Sequence, residues 1–292
     1  MTQLLGAIEA GGTKFVVAVA DAKNPEKVVA RESFPTRKPE ETLADVQDWF
    51  AQYDDLAAIG IAAFGPIDVN EQSDTYGYVL QTPKPGWTNF DFLGAMKAWR
   101  DVPYFWTTDV NGAGWAEFVS GAAKAVDNAL YLTVGTGIGA GIIQNGELLS
   151  GFGHPEAGHI FVRQHPKDTY TGRCVYHGNQ CLEGVAAGPA IEERWGISAK
   201  ELPDDHLAWD IEADYLAQAA VNYTMILRPE KIIFGGGVPH RSVLLPLIRE
   251  KFVAKLADYV TVPAVEDYIV SVAHGDNAGV IGGFYLAKSL LD

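Results

Sequence analysis

Cysteine is almost missing from this 292-residue chain, which holds two, Cys174 and Cys181, together with three methionines. Two closely spaced cysteines cannot build a disulfide framework, and with no export signal in view they are expected to stay reduced in a cytoplasmic protein. Basic charge is scarce as well. Lys plus Arg number 22 against 37 for Asp plus Glu, a formal net charge of −15 with neutral histidines. A surface of that sign repels phosphate backbones and anionic lipid, so neither a nucleic-acid nor a membrane partner is expected. Long apolar runs are lacking too. The opening stretch MTQLLGAIEAGGTKFVVAVA has no basic start and is broken by Glu9, Gly11, Gly12, Thr13 and Lys14, which argues against a signal peptide or a membrane span. No Gly-x-x-x-x-Gly-Lys-Ser/Thr loop occurs, so a Walker A site is excluded.

What is there is enough for a large core. Hydrophobic residues make up 48% of the chain, far from the compositions that stay disordered, and the length is about twice that of a typical domain. Leu4 to Ile8 and Phe15 to Ala20 flank the turn Gly11-Gly12-Thr13-Lys14, and the pattern predicts a hairpin. Ala129 to Val134, the turn Gly135-Thr136-Gly137 and the run through Ile142-Ile143 repeat the arrangement, which points to two related halves. Apolar spacing predicts helices over Pro39–Tyr53, Phe90–Arg100, Asp210–Leu227, Ser242–Tyr259 (with a bend at Pro246) and Asn277–Leu291, the last free to pack on either half. Leu56–Phe64, Val102–Thr107 and Lys231–Phe234 are predicted strands. The alternation gives an α/β class, with a domain boundary expected as a compact hinge near Asn111 to Trp115.

Three groups of residues carry chemistry. The first is a set of glycine tips at strand ends: Gly11-Gly12-Thr13-Lys14, then Gly135-Thr136-Gly137 following Thr133, then Gly235-Gly236-Gly237. Successive amides in such turns form anion-binding concavities whatever the net charge, and three together suit a nucleotide better than three unrelated turns. The second is His159, Cys174, His177 and Cys181, a Cys₂His₂ donor set for structural zinc within a polar loop of about residues 154–184, with His154 and His165 as rival donors. The third is a set of carboxylates. Asp109 follows a predicted strand where open α/β sheets bind ligands, and Glu156 and Glu183 flank the metal loop.

The segments Ile8-Glu9-Ala10-Gly11-Gly12-Thr13-Lys14-Phe15, Phe64-Gly65-Pro66-Ile67-Asp68, Thr82-Pro83-Lys84-Pro85-Gly86-Trp87, Glu156-Ala157-Gly158-His159 and Cys181-Leu182-Glu183-Gly184 lie in this order along the whole chain. Together they resemble the ROK family of sugar kinases, and within it the bacterial fructokinase branch. His177 stands where most relatives carry cysteine, and Glu9 where many carry Asp. The resemblance implies the two-domain actin/hexokinase-like (ribonuclease H-like) ATPase fold with a central cleft, the C-terminal helix returning to the first domain so that residues 1–112 plus 277–292 form one domain and residues 113–276 the other, and a cytoplasmic homodimer. It also implies transfer of phosphate from ATP, with Mg²⁺, to the 6-hydroxyl of fructose, or of mannose, glucose or an N-acetyl hexosamine. By the same likeness Asp109 would be the base; Asn111, Glu156, His159 and Glu183 would meet sugar hydroxyls. The glycine tips and Pro189 would line the nucleotide site, and Glu9 would reach magnesium through a bound water. A zinc-bound His159 would keep its second N–H for the sugar. A sugar-responsive repressor or silent sensor is the alternative of another class, but the first phosphate strand begins by Leu4 and leaves no room for a DNA-binding module.

Overall fold

The computed structural model describes residues 3–292. In chain order the elements are β1 (Leu4–Ala10), β2 (Lys14–Asp21), β3 (Val28–Pro35), α1 (Pro39–Phe50), β4 (Leu56–Ala63), β5 (Tyr78–Val79), β6 (Phe90–Asp91), α2 (Phe92–Trp99), β7 (Tyr104–Thr108) and α3 (Asp109–Val119). Then follow β8 (Ala129–Val134), β9 (Ile138–Gln144), β10 (Glu147–Leu148), α4 (Leu182–Ala186), α5 (Gly188–Trp195), α6 (Leu207–Leu227), β11 (Lys231–Gly235), α7 (Leu244–Leu256), α8 (Val265–Tyr268), β12 (Ile269–Ser271) and α9 (Ala278–Lys288). The chain divides into two compact units, residues 1–121 with 148–154 and 274–292, and residues 122–147 with 155–273. No helix among the described residues is long and apolar enough to cross a membrane.

Each unit is built on a five-stranded mixed sheet, ordered β3-β2-β1-β4-β7 in the first and β10-β9-β8-β11-β12 in the second. The two orders are the same plan. Each begins with an antiparallel hairpin, Ala10 facing Phe15 across the first tip and Val134 facing Ile138 across the second. The first strand of each hairpin then pairs in parallel with a later strand, β4 or β11. The repeat visible in the glycine tips is therefore a repeat of the whole sheet.

In the first unit the sheet is buried on both faces, and the period of two along its strands sorts the side chains. Phe15, Val17 and Val19 of β2 join Leu43, Val46 and Phe50 of α1 and the buried Trp87. Val16, Ala18 and Ala20 turn the other way, with Ala7 and Ala58, onto Val280 and Phe284 of α9. The second face is made of small residues, and a helix can come close to it. A Cβ on Gly60 would overlap the carbonyl of Gly283, and a Cβ on Gly282 would overlap the carbonyl of Gly112 in α3. The C-terminal helix thus touches β4 and α3 backbone to backbone and packs on the first unit.

Several expectations are corrected here. Residues 112 and 113 lie inside α3, capped by the Thr108 hydroxyl on Asn111 N at 3.1 Å, and the compact units separate at Gly121 instead. Gly112 and Gly114 weaken the helical signal, but close packing requires Gly112. The expected helix from Phe90 begins as the short strand β6; Asp91 then caps α2 by accepting from Gly94 N at 2.8 Å. Pro246 does not bend α7. It sits in the first turn, where its missing N–H has no intrahelical partner to lose. The exposed edge strand β3, with its alternating polar residues, carries no signal strong enough to be picked out beforehand.

Gly282→Ala tests the helix contact by sign. In an exposed helix this change stabilises by up to about 1 kcal/mol, whereas overpacking against the Gly112 carbonyl is expected to destabilise by about 1–3 kcal/mol. Urea unfolding midpoints decide between them, and an unchanged or raised midpoint would show that the contact yields.

Candidate active site

Asp109 stands where β7 ends and α3 begins. One carboxylate oxygen, Oδ1, accepts from Val110 N at 2.9 Å. Burial is the main influence on its acidity and pushes its pKa up to about 7; the Val110 amide opposes this and the charge of Glu9 adds to it. Asn111, in the first turn of the helix, is buried and gives its side-chain amide to Thr107 Oγ1 at 3.0 Å. Glu9 projects from β1 against Gly279, where a Cβ would collide with its carboxyl group. Its acidity is weakened chiefly by burial, with Arg31 and Lys14 working in the opposite direction. Glu9 Oε2 is shielded from solvent and has no hydrogen-bond partner among the described residues. An orphaned, shielded carboxylate oxygen next to an ionisable Asp fits a site that receives a hydrated divalent cation.

The first glycine tip is closed by Gly11 N donating to Lys14 O at 2.9 Å and tied to its surroundings by Thr36 Oγ1 donating to Gly11 O at 2.7 Å. The backbone N–H groups of Gly12 and Thr13 have no partner among the described residues. In the second unit Gly135 N donates to Gly137 O at 2.9 Å, and the amides of Thr136 and Gly137 are likewise unpaired. Such pairs of free amides are what an anionic phosphate requires.

Beside the second tip lies a cavity of about 370 Å³ lined by Gly135, Thr136, Gly188, Pro189, Glu192, Ser198, Ala199, Lys200, Gly237, Val238 and Arg241, a size suited to a small ligand. It gathers the expected Gly135, Thr136, Pro189 and Gly237. Gly137, Thr133, Gly235 and Gly236 are not in its wall: Gly235 packs on the Tyr131 ring, and Gly236, at φ +86°, on the backbone of Val134. Lys200 and Arg241 come from segments without a motif. Arg241 is held by Leu202 O at 2.5 Å and Asp204 Oδ1 at 2.6 Å, with its guanidinium 5.1 Å from the Trp209 ring centre.

The four expected metal ligands converge. The donor atoms of His159, Cys174, His177 and Cys181 all lie within 4.8 Å of one another. His159 Nδ1 is 3.8 Å from Cys174 Sγ and 3.6 Å from Cys181 Sγ, and His177 Nδ1 is 3.6 Å from Cys174 Sγ. Tetrahedral zinc with ordinary Zn–S and Zn–N bonds separates such donors by about 3.5 Å, so the set fits. The rivals point elsewhere, His154 Nε2 towards Ile67 N at 3.5 Å and His165 Nε2 towards Asp210 at 3.7 Å. Gly184 allows the closure, because a Cβ there would strike the Gly178 carbonyl and crowd Cys174.

The motif carboxylates sit on either side of this cluster. Cys181 is the residue before α4, which presents Glu183 in its first turn. Glu183 Oε2 accepts from Ile138 N at 2.8 Å, and Oε1 stands 3.7 Å from His159 Nε2. One side chain thus links the metal cluster to the second glycine tip, and the outward ring nitrogen of His159 already faces a carboxylate. Glu156 precedes the short 3₁₀ turn Ala157–His159 and is exposed. Gly158 lets that turn lie on β9, where a Cβ would overlap the Ile138 carbonyl, and Tyr223 Oη fixes it by donating to Ala157 O at 2.7 Å.

Nothing in the sequence singles out Asp168, which reads as a solvated acid in a polar loop. It is buried and holds that loop: Oδ1 accepts from Arg194 Nε and from Tyr170 N, both at 3.0 Å, and Oδ2 from Tyr215 Oη at 2.6 Å. Arg194 in turn donates to Val185 O of α4 at 2.6 Å. The helix bearing Glu183 therefore starts beside the Cys/His donor cluster and is held at its end by Arg194, itself paired with Asp168.

Known proteins are similar to this chain in sequence and in fold. Residues 5–290 match the ROK family. A fructokinase of Pediococcus pentosaceus is 49% identical over 288 residues, with 99% of each chain covered. A fructokinase of Streptococcus mutans serotype c is 45% identical over 295 residues, again with 99% of each chain covered. The ROK hexokinase from Thermus thermophilus superposes with a TM-score of 0.82 at 23% identity, covering 100% of this chain and 99% of that one, which gives the fold as the actin/hexokinase-like one. With a family match over nearly its whole length and relatives near half identity, the chain belongs to the ROK family.

Proposed function

We propose that this protein transfers the terminal phosphoryl group of ATP to the 6-hydroxyl of a hexose, with fructose as the preferred sugar. The observation that carries the reaction type is Asp109, a half-buried carboxylate at the junction of β7 and α3 whose pKa, pushed up to about 7 chiefly by burial, suits a general base near neutrality. The relatives named fructokinase, at 49% and 45% identity over nearly full length, support the choice of sugar.

Phosphoryl transfer asks for positioning and charge neutralisation more than for a strong nucleophile. In this reading Asp109 takes the proton of the 6-hydroxyl as that oxygen bonds to phosphorus and the bridging P–O bond breaks, leaving ADP. Asn111, Glu156, His159 and Glu183 hold the remaining hydroxyls. The unpaired amides of Gly12, Thr13, Thr136 and Gly137, with Lys14 beside them, receive phosphate oxygens, and Pro189 and Gly237 line the cavity for the nucleoside. Magnesium, when bound, offsets phosphate charge, and Glu9 would hold it through a water. Zinc in the Cys₂His₂ set is structural, since four protein ligands leave no open position. The same reading includes a cytoplasmic homodimer, for which the family resemblance is the support.

Initial rates with fructose, mannose, glucose and N-acetylmannosamine, each with Mg²⁺ and ATP, are expected to give fructose the highest kcat/KM; no turnover of any sugar would overturn the proposal. Asp109→Asn is expected to lower kcat by roughly a hundredfold or more while ATP still binds. Because the base must be ionised, wild-type kcat/KM should fall as pH drops through about 7, a limb that the variant lacks. Chelating the metal from a still-folded protein should raise KM for the sugar more than KM for ATP. Glu183 stands two residues after the ligand Cys181, whereas the cavity wall contains no metal ligand; equal changes in both constants would refute this division.

A further inference from the structure

The tip between β1 and β2 has a neighbour to which the kinase reading gives no task. A Cβ on Gly12 would stand 3.0 Å from Lys84 Cε and 3.3 Å from Lys84 Nζ, so the Lys84 ammonium lies directly against the turn whose amides are unpaired. No carboxylate among the described residues forms an ion pair with it. In a chain of net charge −15, a cation left without a counter-ion beside an anion-binding turn marks a place for an anion.

The placement is built into the fold. Pro83 and Pro85 flank Lys84, and a residue before proline is restricted to extended backbone. Lys84 N donates to Thr82 Oγ1 at 3.4 Å, and Lys84 O accepts from Trp87 N at 3.1 Å. Trp87 is completely buried and anchors the loop: its Nε1 donates to Arg37 O at 2.7 Å, and its ring centre lies 5.4 Å from that of Phe15, the residue after Lys14. Gly86, at φ +81°, brings the chain against Pro39. The loop carrying the cation is thus fastened to the strand that leaves the phosphate turn. A side chain that only covered Gly12 with its methylene stem would not need this anchoring.

We infer that Lys84 is a phosphate-contacting residue whose ammonium meets the terminal phosphate of a nucleoside triphosphate at the Gly11–Lys14 turn. The inference rests on the kinase reading for the nature of the ligand, and its test is separable from that reading. A charge-assisted contact to one phosphate contributes tenfold or more in affinity, on the order expected for hydrogen bonds to charged groups. Lys84→Met keeps the stem and removes the charge; Lys84→Arg keeps the charge.

Calorimetric titration with Mg²⁺ and either ADP or the non-hydrolysable triphosphate AMPPNP is the primary measurement, on wild type and both variants, with thermal midpoints recorded alongside. Lys84→Met should weaken AMPPNP about tenfold or more and leave ADP unchanged, with Lys84→Arg close to wild type. In turnover, kcat should fall in Lys84→Met with KM for the sugar unchanged. Equal weakening of both nucleotides, or of neither, overturns the role of Lys84 even where the wild type phosphorylates sugar. A wild type that turns over no hexose, with the selective loss for AMPPNP intact, overturns the kinase reading and leaves Lys84 standing.

Discussion

Backbone meets backbone where α9 crosses the first sheet, and the position of the candidate base depends on that contact. Gly60, Gly112, Gly282 and Gly283 remove the side chains that would otherwise separate β4, α3 and α9. The alanines on the same face of β1, β2 and β4 extend the flat surface on which α9 lies. Helix α3 therefore begins directly at the end of β7, and Asp109 is held at the turn between them instead of on a mobile loop. Burial at that turn raises the pKa of Asp109.

Gly279 extends this logic to Glu9. A glutamate needs room for one methylene more than an aspartate, and here the room is a missing Cβ on the first turn of α9. The second unit secures its functional carboxylate by other means. Glu183 is fixed by the Ile138 amide at its own oxygen and by the Arg194–Asp168 pair behind the helix, and a metal in the Cys/His set before α4 would add a third restraint. A short helix of five residues has little stability of its own, so it needs clamps at both ends.

Much of this was legible in the chain because it is local. The hairpins announce themselves by apolar runs on either side of glycine tips, and the sheets that follow repeat one strand order. The four metal ligands are visible because few other residue types bind zinc and these stand at short intervals; the structure brings the same four together. Asp168 and Arg241 were not legible as site residues, and Lys84 was legible only as a member of the Thr82–Trp87 segment, without a task of its own. What distinguishes each of the three is a partner far away in sequence, Arg194, Trp209 or Gly12. Helix α3 was hidden for a related reason, since its glycines depress helical propensity and are justified only by the helix packed against them.

The sequence by itself determined the α/β class, the duplicated hairpin, the donor set for a metal and the residue types needed for phosphate transfer, because periodicity, glycine tips and ligand spacing are properties of short segments. Only the tertiary structure decided which tip residues reach the cavity, that His159 turns Nδ1 to the thiols and Nε2 to Glu183, and that a proline-flanked lysine stands over Gly12. Those outcomes rest on contacts between segments distant in sequence, where close packing leaves one arrangement open and local preference does not choose it.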